Sequence, residues 1–162
     1  MKAREPKSIK RFCLNGFLSA ILLLCTGIVS AYELTLIHQN QTHSIEQSSL
    51  KEINGQTLET ITPWTDNPLT FQGISLASLL AKYKIKGRIA KAKALNDYVV
   101  EIDLQEAIEA NAFIVSHIDN QPMKVRNKGP FWIIFPWSEK TELNDRKYQD
   151  WSIWQMVELK IE

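Results

Sequence analysis

The sequence predicts an α+β fold, a mixed β-sheet with short helices. Three observations point there. Short runs alternate apolar and polar residues at the period of a strand, as in Glu33 to His38 (Glu-Leu-Thr-Leu-Ile-His). Two stretches, 75–83 and 104–111, carry apolar residues at helical spacing behind a capping residue. The run Phe131-Trp132-Ile133-Ile134-Phe135 is apolar throughout, as in a strand buried on both faces.

The chain of 162 residues opens with five positive charges and one acid, Glu5, within Met1 to Arg11. An apolar stretch from Phe12 to Val29 follows, then Ser30 and the small Ala31 before Tyr32. Basic head, apolar middle and small-residue exit are the pattern of a cleaved secretory signal. The densest apolar part, 17–29, is short of the ~20 residues that span a bilayer. The expectation is a signal over 1–31 and one exported domain over 32–162, periplasmic or secreted, with no membrane span after cleavage. A retained anchor is the alternative, and a lipid site at Cys25 a third. Residues 32–162 hold 14 basic and 17 acidic residues, a net of −3, which argues against a nucleic-acid partner. Both cysteines, Cys13 and Cys25, fall in the signal, so the domain has no disulfide and no thiolate of its own.

Along the domain, 33–38 is a strand, and 42–53 a strand followed by a turn of helix with Ser48 or Ser49 as cap. Asn54-Gly55 is a turn and 56–62 a strand. Leu69 to Phe71 leads through Gly73, read as a sharp bend, into a helix capped by Ser75 with Leu76, Leu79 and Leu80 on its apolar face. Lys84 to Lys93 reads as a basic connector and Lys84, Lys86, Arg88, Lys91 and Lys93 as solvated charges. Strands 92–94 and 98–102 flank the Asn96-Asp97 turn. Asp103 caps a helix with Ala107 and Ile108 inward, 112–118 is a strand and 119–122 a turn. Gly129-Pro130 leads into the central strand 131–135, Pro136 ends it, and 154–161 closes the chain as a strand.

Four landmarks stand in order: 71–80 (Phe-Gln-Gly-Ile-Ser-Leu-Ala-Ser-Leu-Leu), 94–98 (Ala-Leu-Asn-Asp-Tyr), 128–136 (Lys-Gly-Pro-Phe-Trp-Ile-Ile-Phe-Pro) and 151–156 (Trp-Ser-Ile-Trp-Gln-Met). The series resembles the oxidoreductase molybdopterin-binding domain, the sulfite-oxidase type of fold, over residues 55–162. It is most similar to small exported members made of this domain alone. The resemblance implies a molybdopterin cofactor whose metal is held by a cysteine just upstream of the Phe/Trp-x-Gly-x-x-Leu helix. The matching stretch here, 59–65 (Glu-Thr-Ile-Thr-Pro-Trp-Thr), has no cysteine. The reading is a non-catalytic binding or sensing module, serving a membrane signalling or redox protein or holding a small ligand. An oxidoreductase subunit that binds the cofactor without a cysteine is the alternative.

Six residues form the candidate pocket. Trp64 either stacks on a planar ligand or fills the space a cofactor would take. Asn96, Asp97 and Tyr98 form a turn that the fold sets near its cofactor mouth, although a turn aspartate also caps local amides. Arg126 and Lys128 either bind an anion or are solvated charges beside a strand. His38, His43 and His117 lack metal-ligand spacing, and His117 is expected at a turn or the surface. No Gly-x-Ser-x-Gly is present for hydrolase chemistry.

Overall fold

The computed structural model describes residues 32–50, 52–53 and 55–162. The signal expectation over 1–31 and the Asn54 half of the Asn54-Gly55 turn lie outside the described residues. Among the described residues ten strands make two sheets. The first has the order β2 (Gln41–Glu46), β1 (Glu33–His38), β10 (Met156–Ile161), β5 (Ile89–Ala94), β6 (Val99–Asp103). The second runs β3 (Gln56–Thr60), β4 (Leu69–Ser75), β7 (Phe113–Ile118), with β8 (Gln121–Pro122) and β9 (Trp132–Ile134) both on the far side of β7. β1 and β10 pair in parallel and the other pairs are antiparallel.

β9 links the sheets. One edge pairs with β7, while Ile133 N–H donates to the Ile153 carbonyl at 3.0 Å and Phe131 bridges to Met156, where β10 begins. Its alternation serves two cores. Phe131, Ile133 and Phe135 pack with Leu34, Leu36, Ile74 and Leu159, whereas Trp132 and Ile134 pack with Phe71, Phe113 and Val115. A strand that buries both faces must be apolar at every position, as 131–135 is.

The helices are short: α1 (Gln47–Leu50), α2 (Leu76–Lys82), α3 (Leu104–Glu109) and α4 (Arg146–Trp151). Ser75 caps α2 by accepting from Ser78 N–H at 3.1 Å, and Asp103 caps α3 by accepting from Glu106 N–H at 3.0 Å. Ser48 and Ser49 lie inside α1 and do not cap it. The residue that fixes α1 is Gln47, whose Nε2 reaches the carbonyls of Met123 and Pro130 at 2.9 Å and of Ser116 at 3.2 Å.

Three further expectations need correction. Residues 89–91 are strand, not connector, and extend the expected strand 92–94 backwards: Lys91 and Lys93 point outward between the buried Ala90, Ala92 and Ala94. Lys91 pairs with Glu101 and Glu162, and Lys93 with Asp97. Gly73 is not a bend, since it lies within β4 without a positive φ. A Cβ there would stand 1.9 Å from the Ile114 carbonyl oxygen, so glycine is required by the close approach of β7. His117 is buried in β7, with Nδ1 2.9 Å from Ser116 Oγ. Among the described residues no helix is long and apolar enough to cross a membrane.

Candidate functional site

The segment 59–65 lies where the resemblance would set a ligating cysteine, and its hydroxyls are engaged. Thr60, buried at the end of β3, accepts from Ser138 N–H at 3.0 Å, and Ser138 Oγ accepts from Thr60 Oγ1 at 3.1 Å and from Ile61 N–H at 2.8 Å. This exchange ties the exit of β3 to the loop after β9. Thr62 N–H donates to Thr65 Oγ1 at 2.9 Å, and Thr65 N–H returns to the Thr62 carbonyl at 3.1 Å. Trp64 N–H donates to Thr62 Oγ1 at 3.2 Å. A closed turn of this kind holds Trp64 in one direction.

Trp64 is the hub of a tryptophan cluster. Its ring meets Trp132, Trp154 and Trp137 edge-on, with centroids 5.6, 5.7 and 6.2 Å away. Trp132 is locked in turn by Nε1–H donating to the Ser152 carbonyl at 3.1 Å and by Phe71 at 5.8 Å. Such edge-to-face pairs are favoured by the ring quadrupoles.

Beside this cluster is an open cavity of about 500 Å³. Trp64, Tyr98 and Trp154 supply its aromatic surface, and Asn96, Gln149 and Ser152 its uncharged polar groups. Ala94, on the inward face of β5, contributes a small wall and so leaves room. Arg146 and Asp150, 3.7 Å apart on α4, close the far side. The space arises because the linker 152–155, carried by β9 and β10, faces both the β5–β6 turn and α4.

Of the six candidates, the structure brings Trp64, Asn96 and Tyr98 together on the cavity. Trp64 lines one side of it while its ring packs into the cluster. Asp97 is turned away: φ is 64°, and its carboxylate lies 2.8 Å from Lys93, which holds it below the usual range. Arg126 is exposed in the 3₁₀ turn Val125–Asn127, off the cavity. Lys128, at φ 66°, sets its ammonium 5.4 Å from the Trp154 ring centroid and 5.7 Å from that of Trp132, behind the wall. Sequence reasoning missed α4, Ser152 and Ser138. The signal for α4 was Asp145, whose side chain caps it by accepting from Lys147 N–H at 2.8 Å, with Tyr148 and Trp151 one turn apart.

The fold has a solved counterpart. The chain superposes on sulfane dehydrogenase SoxCD from Paracoccus pantotrophus with a TM-score of 0.51 and 12% identity, over 80% of this chain and 38% of that one. At that identity the likeness is one of fold, and the chain spans well under half the length of the structure it matches. No family model matches, and no curated protein matches. The α+β, mixed-sheet reading stands, and the architecture is that of a domain found in an oxidoreductase.

A molybdenum centre of the kind the resemblance implies takes a soft protein thiolate. The chain's cysteines are Cys13 and Cys25, both outside 55–162, and Thr60 and Thr62 spend their hydroxyls on backbone and on Ser138 and Thr65. Among the described residues no group of three His, Cys, Asp or Glu side chains is placed to hold a metal ion. The residues present do not fit that group.

Proposed function

We propose that the chain is a small exported protein that uses an oxidoreductase-type fold to bind rather than to react. Its ligand is a small molecule with a planar or aromatic part, taken into the cavity between Trp64, Tyr98 and Trp154. The observation that carries the reading is the pairing of an open aromatic cavity with a segment, 59–65, that holds no thiolate and closes on itself. A volume near 500 Å³ is in the range of ligand sites, ~300–1,000 Å³, and a few polar groups on an apolar wall are what such sites use for orientation. Residues 1–31 direct export, and the bound or free state is reported to a membrane signalling or redox protein.

The test begins with the protein purified from the exported fraction of a host that makes molybdopterin. Elemental analysis and pterin extraction come first, then thermal shift against a panel of planar small molecules. The expected result is no stoichiometric metal or pterin, and stabilisation by at least one compound that is lost in Tyr98→Ala. Molybdenum near one per chain, with pterin, would replace this reading by a cofactor-binding subunit lacking a cysteine ligand.

A further inference from the structure

β6 is the outermost strand of its sheet. In the hairpin that leads to it, Ala94 N–H donates to the Tyr98 carbonyl at 2.9 Å, which makes Ala94 and Tyr98 a hydrogen-bonded pair. Antiparallel pairs alternate, so with Ala92 opposite Val100 and Ala90 opposite Ile102, the backbone groups of Val99 and Glu101 turn away from β5. Among the described residues no backbone or side-chain group pairs with that outer edge at Val99 or Glu101.

Proteins usually blunt such an edge with lysine, proline or a bulge. β6 contains no lysine or proline, its register with β5 has no shift, and its one exposed charge, Glu101, is paired with Lys91. Instead its start is apolar and exposed: Tyr98 is 51% and Val99 48% accessible, with Leu95 in the same turn at 47%. Tyr98, the residue just before β6, also lines the cavity, so the edge begins beside it. The outer edges of β2 and β3 differ, their exposed residues being polar (Gln41, Thr42, Ser44, Glu46; Gln56, Thr57, Glu59).

We infer that β6 is a strand-addition site, at which an extended peptide of a partner protein pairs with Val99 and Glu101 and lays an aromatic side chain into the cavity. Main-chain bonds give such binding its affinity, and a pocket for an alternate side chain gives it selectivity. The charges at this end are already matched, Lys91 with Glu101, Lys93 with Asp97 and Arg146 with Asp150. The complementary segment is therefore uncharged. This inference rests on the cavity being a binding site and gives it a second occupant, a peptide side chain that would compete there with a small planar ligand.

The experiment is calorimetric titration of the whole protein with acetyl-Thr-Val-Trp-Val-Thr-amide, the same peptide with Phe or Ala at the centre, and a form N-methylated on both valines. Binding is expected for Trp and Phe, about tenfold weaker for Ala, and about tenfold weaker or absent after N-methylation. Val99→Pro removes an N–H that β5 does not use, so it should leave the melting temperature near wild type and abolish binding. If that variant does not fold, the N-methylated peptide decides alone. Equal binding of the N-methylated and parent peptides would overturn strand addition and leave the small-ligand reading intact. No binding by any peptide would overturn it too, and if planar molecules also fail, the cavity reading falls with it. A dimer of the free protein that Val99→Pro dissolves would assign the edge to a second copy and likewise overturn the proposal.

Discussion

Replacing Gly73 with alanine tests the packing of the second sheet at its tightest point. The new Cβ would stand 1.9 Å from the Ile114 oxygen, 2.9 Å from the Ile114 carbon and 3.0 Å from Val115 Cα, against ordinary contact at 3.4 Å or more. All three neighbours are backbone, so no rotamer change relieves the clash and β7 must retreat by more than 1 Å. The ladder already shifts register between Gln72 and Gly73, and Ile74 and Ile114 beside it are fully buried. Overpacking costs about 1–3 kcal/mol, and each ladder bond lost adds about 0.5–1.5 kcal/mol. A loss of about 3 kcal/mol, or roughly 10–15 °C in melting temperature for a domain of this size, is expected. Urea unfolding followed by tryptophan fluorescence measures it. Asparagine separates the two physical accounts of this glycine. It tolerates a left-handed backbone and would be accepted if φ were the cause, but on the steric account it fails as badly as alanine. A loss for Gly73→Ala under about 0.5 kcal/mol, or an asparagine variant as stable as wild type, would refute the reasoning.

Ile133→Ala, at the strand that joins the two cores, should cost about 2–5 kcal/mol in the same assay, and a cost below half a unit would place the strand at the surface. Gln47→Leu leaves the carbonyls of Ser116, Met123 and Pro130 without their shared donor and should cost about 1–3 kcal/mol; a neutral result would mean that other donors reach them. Hydrogen bonds from Lys160 and then Lys91 hold the Glu162 carboxyl down from 4.5 to about 2. A depressed folded value stabilises the protein above the unfolded value and is lost as pH falls through the folded one. The gap in urea midpoint between wild type and Glu162→Gln should therefore close between pH 4.5 and 2, and a gap constant over that range would show the ion cluster to be inert.

The strands that were legible in the sequence are those whose buried residues are large. Leu34 and Leu36 in β1 and the unbroken run around β9 announce themselves by period or density. β5 announced only its end, 92–94, because its buried set is Ala90, Ala92 and Ala94, and the lysines among them read as a connector. α4 was hidden by length, since six residues give less than two turns of periodicity. The same two elements account for what was missed at the cavity. Trp64, Asn96 and Tyr98 are local features that a sequence displays, but their meeting depends on α4, which does not signal itself, and on the small Ala94 beside them. Asp97 and Lys128, each read also as a residue away from the pocket, lie off the cavity for a local reason. Both sit at positive φ, and a left-handed residue sends its side chain away from the course of its neighbours.

The segment 59–65 connects the fold to the function. A thiolate ligand must keep its sulfur free for the metal, so a residue there is left without internal partners. Here Thr60 exchanges hydrogen bonds with Ser138, and Thr62 with Thr65 and Trp64, so the segment stabilises itself. Trp64, fixed by that turn, then brings Trp132, Trp137 and Trp154 around one ring. The closed turn is thus a scaffold for an aromatic wall. The wall leaves about 500 Å³ open on the side of Tyr98 and β6. A chain that merely lost a cofactor would gain by filling that volume, since unfilled space beside a core forfeits packing contacts. The cavity is bordered by the small Ala94, and a space of this size beside the aromatic wall is accounted for if something else enters.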